Sequence, residues 1–222
     1  MTLPWTSCRL ENAAAHVVGG GGGGGSSVWG DHGTNVVLST TTITNDTAAG
    51  TAGSYSAVRG TLAHTATGKY YFEVKVLTAP GSSIVQIGIM DDTTANGAAM
   101  DNAPGGTPKS AANTGFNGNH DGNIWNGNDT GAGWSLVDGD VLGYALDLID
   151  PLTGFGYLAK NNVWFLSGDP TSGTSHTGCV ASAVLGNARP AMWVFGSVGG
   201  LYKLVTAAPF SYSPPSGYVA WG

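Results

Sequence analysis

The chain has 222 residues, enough for one β domain of about 200 residues and a short appendage but not for two independent domains. With 41% hydrophobic and 9% aromatic residues it can build a core despite 37 glycines, which excludes a disordered chain. Only 10% of residues are charged, and 8 Lys and Arg against 14 Asp and Glu give a formal net charge of -6, which excludes the basic footprint of a nucleic-acid-binding protein.

Residues 1–18 read as an N-terminal arm. Arg9, Glu11 and His16 break it up, so it lacks the charged start and apolar run of a secretion signal, and synthesis and assembly in the cytoplasm are expected. No segment reaches the roughly 20 apolar residues of a spanning helix, so membrane insertion is not expected. Cys8 to Val18 is the helical candidate, with Leu10, Ala14 and Val17 at i, i+4 and i+7. A helix of about ten residues is marginal alone in water, so Trp5, Leu10 and Val17 read as apolar anchors for a partner. Gly19 to Gly25, followed by Ser26 and Ser27, is a flexible linker with a coil span of about 15 to 18 Å. Residues 19–27 thus separate the arm from a domain over 28–222.

Beyond the linker the hydrophobic period becomes two. Tyr70, Phe72, Val74 and Val76 share one face and Tyr71, Glu73 and Lys75 the other, which predicts a half-buried strand. Val141 to Ile149 carries Leu142, Tyr144, Leu146 and Leu148 on one face and small or apolar residues on the other, which predicts a strand covered on both sides. Asp150-Pro-Leu-Thr-Gly154 reads as a turn between antiparallel strands, and Asn161-Asn162 as a two-residue hairpin tip, because Asn tolerates positive φ. Ile84 to Met90, Ala191 to Phe195 and Tyr202 to Val205 supply further short strands, and Trp134, Trp164 and Trp193 are assigned to the core. Many short strands with almost no helix predict an all-β, antiparallel β-sandwich with a short N-terminal arm.

The chemistry-bearing residues are sparse. Asn117-Gly-Asn-His-Asp-Gly122 has the alternation of a calcium loop, but it starts on Asn rather than Asp and has Asn128 where a bidentate Glu is needed, so it reads as a surface loop. His16, His32, His64, His120 and His176 show no metal-ligand spacing, and Cys8 and Cys179 read as isolated thiols. No Gly-x-Ser-x-Gly motif is present, the polyglycine lacks the Lys-Ser/Thr of a phosphate loop, and a turn role explains Asp140 in the Asp138/Asp140 pair. The expectation is a non-enzyme with no metal and no cofactor. Trp125 stands apart, an aromatic among Asn123, Asn126, Asn128 and Asp129. Asn119, His120, Asp121, Asn123 and Trp125 therefore form the candidate ligand loop, with packing as the competing reading for Trp125.

Three segments in order, Gly68-Lys-Tyr-Tyr-Phe-Glu-Val-Lys-Val76, Gly139-Asp-Val-Leu-Gly-Tyr-Ala-Leu-Asp-Leu148 and Tyr157-Leu-Ala-Lys-Asn-Asn-Val-Trp164, resemble the SPRY (B30.2) domain family. Trp29 with Asn35 to Ser39, and Val58-Arg-Gly60, extend the resemblance over most of 29–222, while Lys160-Asn-Asn162 departs from the Asn-Gly tip usual in the family. Gly168 to Thr174 and Pro209 to Tyr218 resemble the version found in tailed-bacteriophage particles. The resemblance implies a concanavalin-like jelly roll and a non-enzymatic virion protein, either a capsid decoration or a fibre component. Its partners would be other capsid or tail subunits, with self-association. The alternative it leaves open is an adhesin module for a host surface glycan or protein; a hydrolase of envelope polymers ranks third. No peptide-pocket motif of the family maps onto this chain.

Overall fold

A computed structural model describes residues 27–34, 36–38, 47–50, 56–79, 84–90, 100, 115–116, 124–125, 136–150, 153–179, 181–184, 187–195 and 200–222. The first strands are β1 (Trp29–His32), β2 (Val36–Leu38), β3 (Thr47–Gly50), β4 (Ser56–Gly60), β5 (Gly68–Thr78) and β6 (Ile84–Met90). The short pair β7 (Gly115–Phe116) and β8 (Ile124–Trp125) precedes the long strands β9 (Val141–Asp150) and β10 (Thr153–Lys160). The remainder are β11 (Val163–Trp164), β12 (Ala181–Val184), β13 (Arg189–Phe195), β14 (Leu201–Val205) and β15 (Val219–Ala220). Helical structure among the described residues is of 3-10 type, at Phe165–Ser167, Gly173–Ser175 and Met100.

Two sheets pack face to face. The smaller runs β1-β4-β13-β6; the larger runs β11-β10-β9-β5-β14-β3-β2, with β12 on β10 and β15 on β5. The predicted strands all form, and the pairing is antiparallel except for β15, which lies parallel to β5 with Val219 opposite Tyr70. Between the sheets sit Phe72, Val74, Val76, Leu142, Tyr144 and Leu146 from the larger one and Val85, Ile87, Met192 and Val194 from the smaller, joined by Trp29 and Trp221.

The tip after β10 forms as expected from the sequence. Lys160 pairs with Val163, and Asn161 and Asn162 take the left-handed φ values of 49° and 65° that a two-residue hairpin turn requires. Asn161 also ties this turn to the start of β9: its Oδ1 accepts the Val141 N–H at 2.9 Å and its Nδ2 donates to Asp140 at 2.7 Å. Asp140 further accepts the Val137 N–H at 2.8 Å and pairs with Lys160 at 2.8 Å. Burial alone would raise its pKa; the bonds from Lys160, the Val137 N–H and Asn161 outweigh it and hold the carboxyl below its usual value. The predicted turn role of Asp140 is therefore a three-way junction between strand ends.

Four expectations change. The outer face of β5 is not solvated: Tyr71 is 2% and Glu73 0% exposed, because the chain after β14 folds back over it. Glu73 accepts the N–H groups of Ser211 at 2.8 Å and Tyr212 at 2.9 Å and the Tyr71 hydroxyl at 3.2 Å, while Phe210 meets Tyr71 edge-on. Trp164 is only partly buried, packed beside Tyr71, Phe155 and Tyr157, whereas Trp193 is fully buried as expected; Trp134 lies outside the described residues. Cys179 is not an isolated thiol but disulfide-bonded. Ser27, assigned above to the linker, is buried, its N–H donating to Thr206 Oγ1 at 2.8 Å and its Oγ accepting the Leu62 N–H at 3.1 Å. The arm helix, the rest of the linker and the Asn117 to Gly122 loop lie outside the described residues.

Candidate functional site

The candidate ligand loop springs from the edge of the smaller sheet. After β6 the chain runs to β7 and β8, which pair with Gly115 opposite Trp125 and Phe116 opposite Ile124, and β7 lies beside β6. Trp125 thus sits on a short strand of a hairpin rather than in an open loop, because its backbone has a partner in Gly115. Asn119, His120, Asp121 and Asn123, as well as Trp5, Leu10 and Val17 of the arm, lie outside the described residues.

The strands beside that hairpin carry polar residues that sequence reading missed. Cross-strand register places Ala57, Trp193 and Gln86 in one row of the smaller sheet and Arg59, Ala191 and Gly88 in the next. Arg59, 5% exposed in its side chain, donates through Nε at 3.1 Å and Nη2 at 2.7 Å to Asp31 Oδ2 on β1. Met100 packs with Ala57, Met90, Ala191 and Trp193 on this outer face, and the Trp193 indole N–H has no hydrogen-bond partner among the described residues. Alternation of small residues with Arg59 and Trp193 was visible in the sequence. What it lacked was the register that sets the two side by side.

The outer face of the larger sheet holds a group of ionisable side chains, Lys69, Asp147, Tyr157, His176 and Tyr218. Lys69 pairs with Asp147 at 2.9 Å and stands 5.2 Å from the centre of the Tyr218 ring. His176 stacks on Phe155 at 3.5 Å between ring centres and meets the Tyr157 hydroxyl through Nδ1 at 3.3 Å; burial lowers its pKa. Burial likewise pushes the Tyr157 hydroxyl up to about 12, and the Tyr218 hydroxyl, which donates to the Pro170 carbonyl at 3.0 Å, is also raised by burial. Both phenols stay neutral at ordinary pH. Asp169 accepts from Thr171 N–H at 2.8 Å and Oγ1 at 2.6 Å, and those bonds lower its pKa. His176 on Phe155 and Tyr157, and Tyr218 between Lys69 and Pro170, fix the 165–179 loop and the C-terminal segment onto the sheet, while Lys69–Asp147 joins β5 to β9 and Asp169 bonds within the loop. Among the described residues, no group of three or more His, Cys, Asp or Glu side chains is arranged to hold a metal ion.

The architecture is that of an all-β, antiparallel sandwich. No protein-family model matches the chain, and no curated protein matches it in sequence. Among solved structures it is similar to the crystal structure of the SPRY domain of human HERC1, with a TM-score of 0.52 over 79% of this chain and 94% of that one at 12% identity. The sandwich is therefore SPRY-like in fold, and at that identity the likeness speaks to fold alone.

Proposed function

We propose that the chain is a non-enzymatic interaction protein whose SPRY-like sandwich is a rigid scaffold presenting loops to a protein partner. One observation carries this reading: the outer faces of both sheets are occupied by buried side chains, with Trp193, Ala191 and Ala57 on one and Tyr71, Glu73 and Tyr157 on the other. A sandwich closed on both faces offers its ends and loops for contact, the usual place for function on a rigid β framework. More specifically, it is a component of a tailed-bacteriophage virion, capsid decoration or fibre, held to other subunits by the arm over 1–18. The order of arm, polyglycine linker and sandwich, together with the virion-type segments 168–174 and 209–218, supports this. Deleting residues 1–18 should leave the melting temperature nearly unchanged and abolish incorporation into particles, and a cryo-EM map of the particle should place the protein. Normal occupancy of the truncated chain would move the anchor into the sandwich.

A second reading, a glycan- or receptor-binding module at a tail or fibre tip, is favoured by Trp125 on the hairpin beside β6. An aromatic contact is worth on the order of 1 kcal/mol beyond burial, so such a site would bind sugar weakly and need many copies for avidity. Multivalent display of wild type and Trp125→Ala on host cells tests it; equal binding by two equally stable proteins removes Trp125 from the site.

A further inference from the structure

We propose that residues 166–178 form a lid over the Phe155, Tyr157 and Tyr218 rings on the outer face of the larger sheet, and that His176 is its latch, closed while the imidazole is neutral and released when it takes up a proton. The lid has two fixed ends. Phe165 enters the core between the sheets, and Cys179 is buried with Tyr71, Phe155, Tyr157 and Tyr218. Between those ends the loop bonds largely to itself: the Asp169 N–H donates to the Thr177 carbonyl at 3.0 Å, the Thr177 N–H to Ser172 Oγ at 2.9 Å and the Cys179 N–H to the His176 carbonyl at 3.1 Å. Within 166–178 the buried residues are Pro170 and His176, and they seat the loop. The Pro170 carbonyl accepts the Tyr218 hydroxyl at 3.0 Å, and His176 stacks on Phe155 at 3.5 Å and meets the Tyr157 hydroxyl at 3.3 Å. Leu166, Ser167 and His176 hold left-handed φ values of 52°, 54° and 44°, which side chains with a Cβ rarely adopt, so the closed backbone is strained. A strained loop seated at two points opens when one of them is lost.

The surroundings of the latch disfavour an imidazolium. β10 presents the Phe155 ring and the Tyr157 hydroxyl, and the C-terminal segment presents the Tyr218 phenol; burial keeps both phenols neutral. β9 supplies the Asp147 carboxylate, but Lys69 of β5 already pairs with it at 2.9 Å. In the loop itself Asp169 is exposed and bonded to Thr171. Burial of the His176 ring lowers its pKa, Asp147 opposes that effect without cancelling it, and Lys69 adds to the lowering. A neutral imidazole can accept the Tyr157 hydroxyl proton at Nδ1, whereas an imidazolium can only donate. Because the closed value lies under the open one, the latch is fully effective above about pH 6.5 and is lost as pH falls through the closed pKa. Opening then uncovers three aromatic rings beside Lys69 and Asp147, on a face that is sealed at neutral pH.

Hydroxyl-radical footprinting of the full chain, mapped by mass spectrometry, reads the lid directly, because aromatic rings are oxidised as they become exposed. Labelling of Phe155, Tyr157 and Tyr218 at about pH 5 should exceed that at about pH 7.5 several-fold. The ceiling is about thirtyfold, reached by a ring that titrates at 6.5 when open and stays neutral when closed. Tyr144, fully buried between the sheets, should stay unlabelled throughout. His176→Phe keeps a ring over Phe155 with no proton to gain, and should lose the pH response. Lys69→Gln keeps the latch but frees Asp147 to face the imidazolium, and should shrink the response; it decides the matter if His176→Phe does not fold. No rise in the wild type, or an undiminished rise in either folded variant, would overturn the lid. Tyr144 labelled in parallel with Tyr157 would mean that the whole sandwich opens, which overturns it equally. A His176 imidazole titrating by NMR at or above 6.5 in the native protein would overturn the latch.

Discussion

Glu73 is the residue on which the closure of the larger sheet depends. Its side chain is fully buried in the middle of β5 and accepts three hydrogen bonds, two of them from the backbone of Ser211 and Tyr212, 138 and 139 positions later. Glu73→Ala removes the acceptor and leaves two backbone N–H groups facing a void. At about 1 to 3 kcal/mol for each donor stranded without a partner, the loss is about 3 to 5 kcal/mol. For a protein of this size that corresponds to a fall in melting temperature of roughly 6 to 20 °C. Glu73→Gln keeps the shape and one acceptor but turns an amide NH2 toward a second donor, so it should fall between Ala and wild type. Thermal melts followed by circular dichroism give the ranking, and hydrogen exchange locates it: amides of 207–222 should lose protection before those of β9. If both variants melt within about a degree of wild type, the C-terminal segment is not latched by Glu73 and the account of the closed outer face is wrong.

Gly156 faces Tyr144 across the β9/β10 pair, and a Cβ there would collide with the phenol oxygen. Gly156→Ala should cost about 1 to 3 kcal/mol, and Tyr144→Phe in the same chain should recover part of it; two independent, additive losses in denaturant melts would show that the contact is not the cause. His64 stacks on Tyr70 at 3.8 Å, its Nε2 bonds the Trp221 carbonyl, and burial lowers its pKa below 6.5, the bond to Trp221 opposing but not cancelling that effect. Because the folded value lies under the unfolded one, its contribution to stability is complete above about pH 6.5 and is lost as pH falls through the folded pKa. His176 has the same sign. Melting temperature should therefore decline as pH is lowered from 7 toward 5, less steeply in His64→Phe; a rise over that interval would refute the assignment. The chain from Ser27 onward should melt cooperatively with a β-type circular dichroism spectrum, and failure to fold without residues 1–26 would place part of the core in the arm.

What the sequence determined by itself was local. Period-two patterning over Tyr70 to Val76 and Val141 to Leu148, and the tolerance of Asn161-Asn162 for left-handed backbone, are properties of adjacent residues, and they were enough to specify strands, a hairpin and an all-β sandwich. The aromatic of the candidate site, Trp125, was legible for the same reason, as a bulky apolar residue among amides; its pairing with Gly115 across an intervening loop was not. The tertiary structure alone decided which faces are closed. Glu73 looked like the solvent side of a half-buried strand because the groups that bury it, Phe210 to Tyr212, are remote in sequence; Trp221 reaches the core by adding β15 parallel to β5, and Arg59 meets Asp31 only through the β1/β4 register. Periodicity reports which side chains share a face, but the cover over that face is set by chain that returns from more than a hundred residues away, and no local pattern carries that contact.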